Sequence, residues 1–293
     1  MPVVLSTAFL AGAGLTLCAA LLFTWLNVPL QELGWVRRIH SRLDRLRRYA
    51  IWLICIGMSV PLFAAALDGY LFHYELGPIP TWLRVAQGVT GALLLIPNTR
   101  RLGALGVFAL YLLGAARFGL HPLLDYLAWP GAAYYLAVHS TNAKDSGVPV
   151  LYITTGLSLA WAAIEKWVFP DMALDILTHN PIPTFGFPQD AFLVLSGWIE
   201  LGVAYLLITG VLNRFLSLVV TLLFVMTSSL FGVREITGHW LLHAILLTFL
   251  IEGTGRYITP VLWHRPRWLQ LSFVSVTVIP FVGGLMWLYY RLY

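Results

Sequence analysis

The sequence predicts an all-α, polytopic integral membrane protein. It should have about ten transmembrane helices, arranged as two parallel four-helix-bundle repeats plus flanking first and last helices. Three observations predict this. The chain is 59% hydrophobic and 11% charged, whereas soluble domains carry roughly 25% charged residues, so it cannot cover itself with a water-compatible surface. Its apolar runs approach the ~20 residues that cross a bilayer. The pattern of those runs also recurs once along the chain.

The first span, 5–26, lies in VVLSTAFLAGAGLTLCAALLFTWL, with no basic residue before it and no clean small-residue cleavage site. It is expected to be a retained helix rather than a signal peptide. The loop that completes the segment 1–48 holds Arg37, Arg38, Arg42, Arg45, Arg47 and Arg48, which places it in the cytoplasm. It is a topology anchor or, in the alternative, an amphipathic surface helix on anionic lipid. The first repeat, 49–148, is expected to span the membrane at 49–68, 82–97, 102–119 and 122–139. The second, 149–256, spans it at 149–168, 191–211, 214–231 and 238–254. Residues 257–293 supply a cytoplasmic loop and a last span at 271–290.

Counting alternately from the arginine loop puts PNTRR, HSTNAKDSG, VLNR and GTGRYITPVLWHRPRW on the same side, and each contains a basic residue. FHYELGPIPT, RFGLHP, FPDMALDILTHNPIPTFGFPQD and GVREITG then face outward. In a bacterial-type inner membrane both termini are periplasmic. The net charge of +5 is thus a loop signal and implies no nucleic-acid partner; the partner is the lipid bilayer. Trp82, Trp129 and Trp268 fall at span ends, where an interfacial aromatic belt is expected. Cys18 and Cys55 form no CxxC pair, which argues against dithiol chemistry and a thiolate metal site.

The repeat is read from three matches. AALDGYLF aligns with AAIEKWVF, setting Asp68 beside Glu165. RVAQGVTGALLLIPNTRRLGAL aligns with GWIELGVAYLLITGVLNRFLSL, and one separation relates both Gln87 to Glu200 and Arg101 to Arg214. HPLLDYLAW aligns with HWLLHAILL, matching His121 to His239 and Asp125 to His243. An even number of helices per unit makes the duplication parallel, with an axis along the membrane normal.

The second repeat carries LSLAWAAIEKWVFP, then GWIELGVAYLLITGVLNRFLSL, then GHWLLHAILL. An acidic-Lys pair ends its first helix, a Glu sits in its second, and a His opens its fourth. In these features the chain resembles the DoxX family of small four-helix membrane proteins, closely over 149–254 and more distantly over 49–139. The resemblance implies a four-helix fold and, through some members, a link to quinone-coupled oxidation or membrane oxidoreductase complexes. The first repeat departs from the pattern, with Gly69 for Lys166 and Gln87 for Glu200.

Carboxylates at membrane depth cost about 2.5–3.5 kcal/mol each on insertion scales, so they are expected to have partners or a purpose. Glu165, Glu200, His239 and His243 could converge in the second bundle as a polar pocket or metal site. Asp68, Gln87, His121 and Asp125 are their first-repeat counterparts. Lys166 and Arg234 could instead neutralise the carboxylates. Bland readings compete: an interfacial Glu165–Lys166 pair, and histidines that only bond helix carbonyls.

The candidate ligands are a divalent transition metal or a quinone. A haem b between His121 and His239 is a further variant. The expected function is a membrane subunit of a quinone-linked redox system, an oxidoreductase subunit with other subunits of that complex as partners. The alternatives are a transporter or metal-handling protein and a non-catalytic assembly partner.

Overall fold

A computed structural model describes residues 6–179, 182–231, 233–255 and 257–293, without the side chains of 172, 176 and 227–235. The chain is helical throughout: α1 Thr7–Glu32, α2 Gly34–Asp44, α3 Ala50–Asp68, α4 Thr81–Leu95, α5 Arg100–Phe118, α6 Leu120–Leu123, α7 Ala128–Val138, α8 Gly147–Val168, α9 Pro170–His179, α10 Gln189–Thr209, α11 Asn213–Phe231, α12 Val233–Gly238, α13 Trp240–Glu252 and α14 Arg267–Leu292. Every segment expected to span the membrane is helical. Six helices among the described residues, α1, α3, α5, α8, α10 and α14 with their flanking turns, are long and apolar enough to cross a bilayer. Asn213–Met226 and Trp240–Glu252 are shorter apolar helices. The 15 residues of α4 reach only about 22 Å at 1.5 Å per residue, short of a ~30 Å hydrocarbon core.

Three departures from the sequence reading have local causes. The segments expected at 122–139 and 238–254 do not each form one straight helix. The first is split into α6, a 3-10 turn at Leu124–Tyr126 and α7; Pro122 and Pro130 stand in the first turns of α6 and α7, where a missing N–H is tolerated. The second starts beyond a break at Gly238, where a β-carbon would overlap the His73 ring. Two stretches read as loops are helices, α2 and α9. In α2 no residue is buried; Trp35, Ile39 and Leu43 follow i, i+4 and i+8 spacing, one apolar stripe of a helix.

The described residues divide into two compact units. The first comprises 1–37, 156–212 and 258–293. In it α1 packs on α10 and α14. Phe9 stands edge-on to Trp167 and Trp198, with ring centroids 5.0 and 4.9 Å away. Gly12 lets α1 approach the Trp198 ring, where a β-carbon would not fit. Asn27 Oδ1 accepts from the Leu212 N–H at 3.0 Å, holding a turn in which Leu212 has φ of 49°. Tyr205 and Thr277 share a 2.6 Å hydrogen bond that ties α10 to α14.

The second unit comprises 38–155 and 213–257, with α3 at its centre against α4 and α13. Small residues set the approach: Gly57 on α3 lies against Ala244 on α13, and Gly131 on α7 lies against Thr154 on α8. Ser59 Oγ donates to Gly91 O at 2.8 Å across α3 and α4. Two arginines do matching work. Arg101, in the first turn of α5, donates to Ser140 O at 2.9 Å, just past the end of α7. Arg214, in the first turn of α11, donates to Ile251 O at 2.8 Å near the end of α13 and pairs with Asp44. Each guanidinium thereby satisfies carbonyls that a helix C-terminus leaves open.

Candidate functional site

The loop after α3 is shaped by one buried side chain. Gln87 is fully buried on α4. Its Oε1 accepts from the Phe72 N–H at 3.1 Å, and its Nε2 donates to Tyr70 O at 3.0 Å and Leu62 O at 3.3 Å. Phe72 needs this support because its φ is 57°, a region that side chains other than Gly, Asn and Asp rarely occupy. The loop is further closed by the Ile79 N–H to Gly69 O at 2.9 Å. Arg84 Nε donates to Ala66 O at 2.8 Å and caps α3.

That loop presents His73 and Glu75 to Tyr126, which stands on the 3-10 turn before α7. The Tyr126 hydroxyl donates to Glu75 Oε2 at 2.8 Å and lies 3.3 Å from His73 Nδ1. His73 Nδ1 is 3.5 Å from the same carboxylate oxygen. His73 is largely buried, with a side chain 12% exposed, whereas Glu75 is 59% exposed. The three groups therefore run from the interior to the surface. The hydrogen bond from His73 is the main reason the Glu75 carboxyl sits below its usual range; the His73 charge, the Tyr126 hydroxyl and His239 add to this, and burial opposes it. His73 Nε2 is buried without a hydrogen-bond partner among the described residues.

A cavity of about 30 Å³ adjoins this chain of groups, lined in part by Asp68, Tyr70, His73, Tyr74, Thr237 and Gly238. A water needs about 10–15 Å³ by this measure, so one or two fit. A quinone ring does not.

The residues singled out from the sequence fall in separate places. In the first unit, Lys166 bends back along α8 as helix side chains do, reaching within 3.5 Å of Ala162 O and pairing with Glu200 Oε2 at 2.6 Å. Glu165, its neighbour, is half-buried. In the second unit, His239 precedes α13 and His243 lies one turn on, with the His243 N–H bonded to His239 O at 3.0 Å. Both rings face Phe224 of α11, with centroids 5.2 and 6.3 Å away. Asp68 lines the cavity, Gln87 organises its loop, and His121 and Asp125 are half-buried beside Tyr126 in the chain. The Arg234 side chain lies outside the described residues.

Among the described residues no group of three or more His, Cys, Asp or Glu could hold a metal ion. His73, Glu75 and Tyr126 were missed by the sequence reading. The available signal was the alternation of His73 and Glu75 in FHYEL, an outer loop with ionisable residues on either side of an aromatic.

No family model, no curated protein and no solved structure matches the chain.

Proposed function

We propose that the protein is a multi-pass inner-membrane subunit built by internal duplication of a DoxX-like four-helix unit, and that its working feature is a proton-accepting pocket at the outer face. The observation that carries this reading is the hydrogen-bonded series His73–Tyr126–Glu75 beside a water-sized cavity. A buried imidazole, a phenol and a partly exposed carboxylate in sequence form a route by which a proton leaves the cavity for the surface. A proton taken up at His73 is passed through the Tyr126 hydroxyl to Glu75, which releases it to water. The quinone-linked role rests on the family resemblance. Since the cavity admits water only, the quinol would bind a partner subunit; its oxidation to quinone passes two electrons to that complex's acceptor and releases the proton taken up at His73.

Matched contacts support the duplication. Ser59 reaches Gly91 O, and at the corresponding positions Gly156 lies against Ala204 O. Arg84 reaches Ala66 O, and Gly197 lies against Ala163 O in the same way. Gly57 meets Ala244 while Thr154 meets Gly131, a reciprocal exchange expected of a twofold. The separation between Gly131 and Ala244 equals that between Gln87 and Glu200. It favours aligning Tyr126, rather than His121, with His239. A cytoplasmic arginine loop, ten membrane segments and periplasmic termini complete the proposal.

A second reading has its own observation. The Lys166–Glu200 pair sits about midway along α10, and paired charges at membrane depth are a mark of transport pathways. Two measurements separate the readings. In membranes where the chain supports quinol-linked turnover, Tyr126→Phe and Glu75→Gln are expected to slow turnover at equal protein level, with Glu200→Gln near wild type. Reversal of that order would favour the transport reading, to be followed by ion-flux assays in proteoliposomes.

A further inference from the structure

The first turn of α5 holds a cation that is only partly satisfied. Among the described residues Arg100 Nε and Nη2 are buried and have no hydrogen-bond partner, and none of the ion pairs includes Arg100. Its guanidinium carbon lies 4.0 Å from the centroid of the Trp52 ring. Stacking of this kind fixes the plane and leaves the N–H edge to seek acceptors. Lys144 brings a second cation to this region: it and Arg100 both act on His139. The neighbouring Arg101 is already committed to Ser140 O and Oγ. Buried donors of a charged group without acceptors are unfavourable, and an anion from outside the chain would supply them.

We propose that Arg100, stacked on Trp52 with His139 and Lys144 nearby, forms a binding site for a phosphate group at the membrane end of α3 and α5. A guanidinium fork matches phosphate oxygens bidentately. Trp52, Ile56 and Ile96 are 40%, 44% and 51% exposed, giving the site an apolar border of the kind acyl chains cover. The phosphate is that of an acidic phospholipid headgroup or of a free phosphate ion.

The test uses the full chain, delipidated in a maltoside detergent, with binding followed by native mass spectrometry and by thermal unfolding. The probes are phosphatidylglycerol, diacylglycerol (which lacks the phosphate) and inorganic phosphate. The expected result is one tightly held phosphatidylglycerol that raises the melting temperature, no effect of diacylglycerol, and binding about tenfold or more weaker in Arg100→Met, as loss of charge-assisted hydrogen bonds implies. The same Arg100-dependent stabilisation by inorganic phosphate alone supports the site and identifies a soluble ligand. If Arg100→Met does not fold, Arg100→Lys decides, because it keeps the charge and loses the fork; weaker binding supports the site. Stabilisation unchanged in the variants, or absent with both phosphate-bearing probes, overturns the proposal.

Discussion

Replacing Gln87 by Leu should destabilise the protein more than any single change at the ionisable residues the sequence singles out. Leucine nearly matches the volume of glutamine and removes its three hydrogen bonds. The Leu62 carbonyl lies inside α3 and keeps its helical partner. The Phe72 N–H and the Tyr70 carbonyl lose theirs, at about 1–3 kcal/mol for each buried group left unpaired. Phe72 also loses the contact that holds its positive φ. The total is about 2–6 kcal/mol, and at roughly 2–4 °C per kcal/mol for a unit of this size the melting temperature should fall by about 4–24 °C. Gln87→Glu should be no better: it keeps the acceptor for Phe72 but sets an oxygen against two carbonyls. Glu200→Gln still offers an acceptor to Lys166 and should melt closer to wild type. Thermal unfolding of the purified variants in one detergent is the assay. A Gln87→Leu melting point within about 2 °C of wild type, or a larger drop for Glu200→Gln, would refute the role assigned to Gln87.

Other expectations concern separate parts of the molecule. The Glu75 carboxyl is held below its ordinary value of 4.5, so the stability it contributes is full above pH ~4.5 and lost as pH falls through its folded value. Acid unfolding curves of wild type and Glu75→Gln should therefore differ at neutral pH and converge in acid. The gap should be small, because the side chain is 59% exposed. His40 is shifted the other way in consequence: burial first, then Arg214, holds its pKa below 6.5 against the pull of Asp44. Wild type should lose stability as pH drops below 6.5, where the unfolded chain takes the proton first, and His40→Gln should flatten that slope in a pH series of melts. Gly57→Val and Gly131→Val should each cost about 1–3 kcal/mol by overpacking, read from denaturant titrations; tolerance of either would weaken the reciprocal packing. A topology reporter fused after Lys144 should read cytoplasmic and one near Thr178 periplasmic, and one compartment for both would break the span assignment.

Hydrophobicity and length made the helical segments legible, because both depend on composition along the chain. Local punctuation was harder to read. In HPLLDYLAW the proline was visible, but nothing in GVREITGHW announced that Gly238 must stay bare to admit the His73 ring. The amphipathic stripe of α2 was present but masked by its arginines, which are also topology signals. His239 and His243 share a face, as their spacing requires, and that face meets Phe224. What else such a face meets is set by packing, which spacing along one helix does not determine. Gln87 looked like a weakened copy of Glu200. Its task depends on backbone groups of a loop fifteen or more residues away in the chain, so no local pattern reveals it. The series His73–Tyr126–Glu75 likewise joins two distant loops, and only the fold brings them together.

The most direct test is a ¹³C nuclear magnetic resonance titration of the glutamate side-chain carboxyls of labelled protein in bilayers. The account predicts one carboxyl, assigned to Glu75 by its loss in Glu75→Gln, that titrates below the usual carboxylate range in wild type and moves upward in His73→Leu and, by less, in Tyr126→Phe. A Glu75 signal whose titration is the same in wild type and both variants would contradict the proton-accepting pocket.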